Sequence, residues 1–349
     1  MERYSLPADL PELLVPWYRE NRRVLPWRET DDAYHIWVSE IMLQQTRVEA
    51  VKKYYSRFLE VLPDVQALAD CDDDTLYKLW EGLGYYSRVR CMKKAAQTIV
   101  SAFGGVFPRS YEEILTLPGI GEYTAGAIAS IAFGLPTPAV DGNVLRVCSR
   151  LTDDRSPIDT ADTKKKVRDA LIPLYPPNAG EFTQALMELG ATLCGPNWEP
   201  DCAGCPCKAI CLGFQKGTAA ELPIRSPKKE RRQEDKTVLI IRCGDCYALR
   251  RRGATGLLAG LWEFPNVSGK LSPEQAVKAA EQMHISVSGL LRQSERKHVF
   301  THITWNMRGY YMEAKECSGD FYWYTGAEIN AQTALPTAFR KFWEEIKNV

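Results

Sequence analysis

Leu117-Pro118-Gly119-Ile120-Gly121-Glu122-Tyr123-Thr124 decides how the N-terminal part of this chain folds. Ser110 to Thr116, just before it, carries apolar residues at helical spacing. Pro118-Gly119 ends that helix, because proline lacks an N–H and glycine tolerates positive φ. Gly121 begins a second helix whose small residues (Ala125, Gly126, Ala129, Ser130) permit close packing. Two helices joined by Pro-Gly-Ile-Gly make a hairpin with bare amide N–H groups at a helix N-terminus. Gly119 and Gly121 then suit one phosphate. An ordinary packing corner between two helices has the same sequence requirements.

Downstream, Pro136-Thr137-Pro138-Ala139-Val140 is a rigid extended approach to Asp141, and Gly142-Asn143-Val144-Leu145-Arg146-Val147 reads as a helix. Asp141 is therefore an N-cap. A carboxylate there is also expected to stay ionised, with its pKa lowered by the dipole and amide hydrogen bonds. Upstream, Ile36 to Val48 reads as the opening of a long helix. At about 100° per residue the face of Glu40 also carries Ile36, Trp37, Leu43, Gln44, Arg47 and Val51. Partial burial on that face predicts a raised carboxyl pKa and a general acid near neutral pH. A surface network of Glu40, Gln44 and Arg47 is the plainer reading. Two carboxyls pushed in opposite directions form the arrangement that cleaves glycosidic bonds: one protonates the leaving group and the other stabilises an oxocarbenium-like sugar.

Cys194, Cys202, Cys205 and Cys211 follow the pattern C-x7-C-x2-C-x5-C after an apolar helix from Phe182 to Leu193. Four thiolates in one compact loop suit a cubane iron–sulfur cluster better than zinc, which usually draws on two separated knuckles. Cys207 is a fifth thiol inside the loop. The chain has 11 cysteines, an odd count, and five of them crowd between Cys194 and Cys211, which points to a reducing compartment and not to a disulfide framework.

Lys and Arg total 44, as do Asp and Glu, so bulk charge gives no support to a nucleic-acid partner. Up to Arg225 there are 25 basic and 30 acidic residues; beyond it, 19 and 14. Any DNA contact must rest on local patches and backbone amides. No apolar run approaches the roughly eighteen residues of a membrane span. Met1 to Leu10 lacks the basic and apolar regions of a secretory signal, so a cytoplasmic monomer with no membrane partner is expected.

From about Asp9 to Leu212 the chain reads helical. Residues 221–236 are polar, charged and proline-bearing and read as a linker between residues 1–220 and 237–349. Lys228, Lys229, Arg231 and Arg232 in it are either phosphate contacts or a solvated charge run. Thr237 to Arg242 is β-branched and reads as a strand, turned at Cys243-Gly244-Asp245-Cys246 and returning through Tyr247 to Arg250. The two cysteines there resemble a metal knuckle, but a hairpin turn accounts for them. Further strands near 299–313 and 321–324 and helices near 273–283 and 335–347 make the C-terminal part mixed α and β.

Together the Leu-Pro-Gly-Ile-Gly hairpin, Asp141 and the four-cysteine loop resemble the helix-hairpin-helix base-excision DNA glycosylases. Glu40 in Ser-Glu-Ile-Met-Leu-Gln-Gln-Thr and the C-terminal part narrow the resemblance to MutY-type adenine DNA glycosylases. The resemblance implies a mainly α glycosylase fold with a 4Fe-4S loop at 194–211, joined to an α+β Nudix-like domain. It implies removal of adenine paired with 8-oxoguanine or guanine in double-stranded DNA, with the adenine flipped out of the duplex. Glu40 would protonate N7, and Asp141 would stabilise the sugar cation with support from Asn143 and Tyr123. Trp27, Arg28, Leu43, Val48 and Gln184 match positions lining the adenine pocket, although Trp27, Leu43 and Val48 also suit plain core packing. Gln45 and Tyr85 match residues that wedge into the base stack. Relatives that also nick the strand carry lysine where this chain has Tyr123, and a phenol forms no Schiff base. A monofunctional enzyme is therefore expected. Gly256-Leu257-Leu258-Ala259-Gly260-Leu261-Trp262-Glu263-Phe264-Pro265 matches the start of the Nudix-like module, while Pro273 to Glu281 lacks the acidic metal-binding helix of active hydrolases. Phe300-Thr301-His302 stands where the family often has Phe-Ser-His, the contact to 8-oxoguanine; the family also commonly has six residues, not seven, after the first cysteine.

Three other functions compete with this reading. They are an endonuclease III-like glycosylase and lyase for oxidised pyrimidines, a non-catalytic iron–sulfur DNA-binding protein, and a C-terminal nucleotide pyrophosphatase.

Overall fold

Local capping sets the helical part. In a computed structural model, which describes residues 4–196, 199–227 and 230–346, Asp32 caps the helix Ala33–Leu43 by accepting from the amides of Tyr34 and His35. Ser110 does the same for Tyr111–Leu115 through the Glu113 N–H. Lys228 and Lys229 lie outside the described residues. The chain divides into two units: Met1–Asp70 with Arg90–Pro227, and Cys71–Val89 with the chain beyond Pro227. No described helix is long and apolar enough to cross a membrane.

In the first unit, Glu122–Phe133 packs against both Ala33–Leu43 and Ala179–Thr192, and the latter also packs against Gly142–Thr152. These four helices carry the residues of interest. Leu10, Leu14, Val147, Leu151, Phe182 and Leu189 lie in one buried cluster with Cys207 and Cys211. Close approach is demanded at Gly190, where an added Cβ would stand 2.6 Å from the Cβ of Asn143. The helix bearing Glu40 is shorter than the sequence suggests. It stops at Leu43, Gln45 adopts φ +58°, and Arg47 is the N-cap of a separate helix, Val48–Val61. Arg47 and Val51 therefore do not share a helical face with Glu40, whereas Gln44, the C-cap residue, lines the same cavity as Glu40.

Among the described residues, the second unit holds seven strands: β1 (Arg232–Cys243), β2 (Cys246–Arg251), β3 (Trp262–Glu263), β4 (Asn266–Ser268), β5 (Val287–Val299), β6 (Ile303–Ala314) and β7 (Tyr322–Thr325). The main path is β3-β2-β1-β6-β5, with β4 paired to β1 and β7 to β2. β1 and β6 run parallel, and β5 and β6 antiparallel. The apolar run in β1 is continuous because both sheet faces are covered. Val238 and Ile240 face a cluster with Phe339 and Phe342 of the Thr337–Glu344 helix. Leu239 and Ile241 face Ala276 and Ala280 of the Pro273–Gln282 helix. Cys243 and Cys246 oppose one another across the hairpin turn. β1 begins at Arg232, inside the stretch that reads as linker, and β5 is a strand that the sequence reading leaves out.

Candidate active site

Ten of the residues singled out from the sequence line a single cavity of about 530 Å3 in the first unit: Trp27, Arg28, Glu40, Leu43, Gln45, Val48, Tyr123, Asp141, Asn143 and Gln184. That volume is in the range of small-ligand sites. Glu40 comes from the buried side of the Ala33–Leu43 helix and is only 6% exposed. Its partner is not Arg47 but the phenol of Tyr123, whose O–H donates to Oε2 at 2.5 Å. Burial pushes the Glu40 carboxyl up to about 7, against the Tyr123 hydrogen bond, and the nearby charge of Asp141 pushes the same way as burial. The general-acid expectation for Glu40 thus has a physical basis in desolvation.

Asp141 is the N-cap of Gly142–Thr152, and its Oδ1 accepts from the Val144 N–H at 2.8 Å. Oδ2 accepts from Asn143 Nδ2 at 2.7 Å. These bonds lower the pKa, but the cavity walls desolvate the carboxyl more, so the net shift is upward. The expected lowering is overturned: capping was legible, and the burial around it was not. The two carboxyls still differ. Asp141 has two hydrogen-bond donors and its charge raises Glu40, so the proton leaves Asp141 first and Glu40 last.

Asn143 is itself held. Arg146 donates from Nη2 to Asn143 Oδ1 at 2.8 Å and to the Gly190 carbonyl at 2.6 Å, and from Nε to the Cys194 carbonyl at 2.8 Å. One guanidinium therefore ties the start of the cysteine loop to the amide beside Asp141.

Sequence reasoning missed Glu188. It is fully buried, lines the same cavity, and takes hydrogen bonds from Arg23 and Arg28 at 2.7 Å each. Burial alone would raise it, yet the two guanidiniums hold it at about 2. Arg28 also lies over the Tyr18 ring, and Tyr18 donates to Gln184 Oε1 at 3.0 Å. The available signal was an acid four residues after Gln184 on a mostly apolar helix, which puts both on one face.

The hairpin glycines are exposed. Gly119 has φ +78°, and a Cβ there would collide with Cys91; Gly121 is the N-cap of Glu122–Phe133. Gln45 and Tyr85 are non-glycine residues with positive φ, +58° and +47°, and both side chains reach the surface. Left-handed backbone without glycine is strained and gathers at functional positions.

Tyr85 belongs to the second unit, where its hydroxyl lies 3.1 Å from Thr301 Oγ1. Thr301 and His302 are exposed, and Phe300 packs edge-on against His298 and Trp305. The structure thus brings Tyr85 and Thr301 together, although they lie far apart in sequence.

Cys194, Cys202, Cys205, Cys207 and Cys211 line one pocket. Arg150 Nη1 lies 3.1 Å from Cys194 Sγ, and Cys207 hydrogen-bonds to Cys205. Among the described residues no three His, Cys, Asp or Glu are grouped for a single metal ion.

The family model described as "HhH-GPD superfamily base excision DNA repair protein" matches residues 38–177, and that described as "NUDIX domain" matches residues 237–345. The chain is 34% identical to the adenine DNA glycosylase of Rattus norvegicus, over 99% of this chain and 77% of that one. It is 33% identical to the adenine DNA glycosylase of Buchnera aphidicola subsp. Baizongia pistaciae, over 84% of this chain and 83% of the relative. A solved thermostable thymine-DNA glycosylase aligns with a TM-score of 0.54 at 28% identity, covering 59% of this chain and 95% of that one.

Proposed function

Because the chain belongs to the adenine DNA glycosylase family, a family of base-excision repair N-glycosylases, we propose that it removes adenine paired with 8-oxoguanine or guanine and leaves the strand intact. The observation that carries this reading is the pairing of Glu40, bonded to Tyr123, with Asp141, bonded to Asn143, in a single cavity. Glu40 keeps its proton to about pH 7 and gives it to N7 of the flipped adenine. The glycosidic bond breaks with its electron pair going to the neutral base. The cation left on the sugar is met by the Asp141 carboxylate, which ionises before Glu40, and water completes the hydrolysis. Asn143 orients Asp141. Gln184, Arg28 and Glu188 supply fixed donors and acceptors around the base, with Trp27, Leu43 and Val48 as apolar walls. Tyr123 fixes the Glu40 carboxyl and offers no amine for strand cleavage.

Gln45 of the first unit acts as a wedge in the base stack; in the second unit Tyr85 is a further wedge residue, and the Phe300-Thr301-His302 turn contacts the oxidised base through the Thr301 hydroxyl. Cys194, Cys202, Cys205 and Cys211 fit the thiolate donor set of a 4Fe-4S cluster, with Arg150 offsetting charge at Cys194. When bound, the cluster supplies a cross-link that fixes the loop whose first carbonyl anchors Arg146.

The test is a panel of duplexes holding adenine opposite 8-oxoguanine, guanine or thymine, plus an oxidised pyrimidine, each assayed with and without alkali. Breakage of the first two only after alkali is expected. Breakage without alkali, or activity confined to the oxidised pyrimidine, would overturn the reading.

A further inference from the structure

We propose that a basic pocket in the C-terminal unit holds a phosphodiester of the strand that carries the oxidised guanine. The pocket, about 430 Å3, shares no lining residue with the cavity of Glu40 and is lined by Lys236 of β1, Arg250 of β2, Arg252, Glu263, Asn266 and Ser268, among others. Its floor is built. Glu263 is 2% exposed, and its carboxylate takes Arg250 Nε at 2.8 Å, Arg252 Nη1, and Asn266 Nδ2 at 2.7 Å. One carboxylate thus fixes two guanidiniums side by side and leaves a surplus of positive charge.

Lys236 adds to the surplus. Among the described residues it forms no close ion pair, and the nearby Glu234 carboxylate is itself paired with Arg232; its Nζ stands 3.4 Å from Ser268 Oγ and 5.4 Å from the centre of the Trp305 ring. Arg251 also lines the pocket but is paired with Asp74, and elsewhere in this unit Arg242 is paired with Glu313 and Arg308 with Glu295. Lys236, Arg250 and Arg252 against the one carboxylate of Glu263 leave the pocket net basic. Two arginines held by one carboxylate beside a lysine suit a phosphate, by paired N–H donors and by point charge. The pocket is not built to hydrolyse one. Its single carboxylate already accepts from three donors, two of them guanidiniums, whose charge opposes a magnesium ion beside it.

The position favours DNA over a free nucleotide. Trp305 carries Phe300 at 4.9 Å between ring centres and Lys236 and Arg252 at 5.4 and 5.9 Å. One buried ring thus separates the pocket from the turn assigned to the lesion, and phosphates along a strand advance about 3.4 Å each. This placement rests on the reading of Phe300-Thr301-His302 as the lesion contact.

The test is equilibrium binding of the full chain to an A:8-oxoguanine duplex across a range of salt, in a Glu40→Gln background that keeps the duplex whole. Lys236→Gln is expected to make the slope of log K against log salt shallower by about 0.9, weakening binding about threefold more at low salt than at fourfold higher salt. Lys236→Arg should restore the slope. Lys278→Gln, exposed on the Pro273–Gln282 helix, should leave it unchanged. If the unsubstituted background binds this duplex no tighter than a T:A duplex, the lesion reading fails. If it discriminates and Lys236→Gln keeps the full slope, the pocket proposal is overturned. Binding of 8-oxo-dGMP that is lost in Lys236→Gln, with the duplex slope intact, would assign the pocket to free nucleotides and overturn the DNA assignment.

Discussion

Glu40→Gln is expected to abolish base release and at the same time to stabilise the protein above neutral pH. Folded Glu40 holds its proton to about 7, whereas an exposed glutamate loses it near 4.5. Each unit of displacement corresponds to about 1.4 kcal/mol, so ionised Glu40 costs the folded state about 3 kcal/mol. The folded pKa is the higher one, so stability falls as pH rises from 4.5 to 7 and stays low above it. Glutamine removes the buried charge and retains a carbonyl oxygen for the Tyr123 O–H. At pH 8 the variant should therefore unfold about 6–12 °C higher than wild type, taking about 2–4 °C per kcal/mol for a unit of this size. At pH 5 the difference should fall to about a quarter of its value at pH 8, because the unfolded carboxyl is still partly protonated there. Calorimetry at both pH values, followed at the transition of the helical unit, reads this directly. A variant no more stable than wild type at pH 8, or equally stabilised at both pH values, would refute the assignment of Glu40 as a desolvated acid.

Three further outcomes follow from the same geometry. Tyr123→Phe removes a hydrogen bond that lowers the Glu40 pKa, so the upper limb of the single-turnover pH–rate profile should move to higher pH; a limb that stays put contradicts the role given to the phenol. Gly119→Ala meets positive φ and a collision with Cys91, so a loss of about 1–3 kcal/mol in stability is expected by chemical denaturation, with weaker duplex binding. Cys202→Ser should lower bound iron and loosen the 194–211 loop toward proteolysis, whereas Cys207→Ser should keep the iron; the reverse pattern would exchange the two thiols in the donor set.

Features that depend on local chemistry were legible in the sequence. Pro118-Gly119 and the cap at Asp141 act within a few residues, and both appear where the sequence puts them. The alternating faces of β1 and β6 follow from their apolar residues. Features that depend on the rest of the fold were not. The Glu40 helix ends at Gln44-Gln45-Thr46, a turn without glycine or proline, so no local signal marked it. β5 is an edge strand rich in exposed charge (Arg292, Glu295, Arg296, Lys297) and shows no buried face to read. The raised pKa of Asp141 comes from cavity walls contributed by distant helices. Glu188 and Arg28 pair across most of the helical unit, and Tyr85 meets Thr301 only after folding.

Single-turnover cleavage of a duplex with one A:8-oxoguanine pair, wild type beside Asp141→Asn, tests the central claim most directly. Asparagine keeps the side-chain oxygen that caps Gly142–Thr152 and removes the charge that meets the sugar cation. The variant should bind the duplex as wild type does and release adenine at least a hundredfold more slowly, an effect of about 3 kcal/mol on the barrier. Adenine release at the wild-type rate from a correctly folded Asp141→Asn protein would contradict the account.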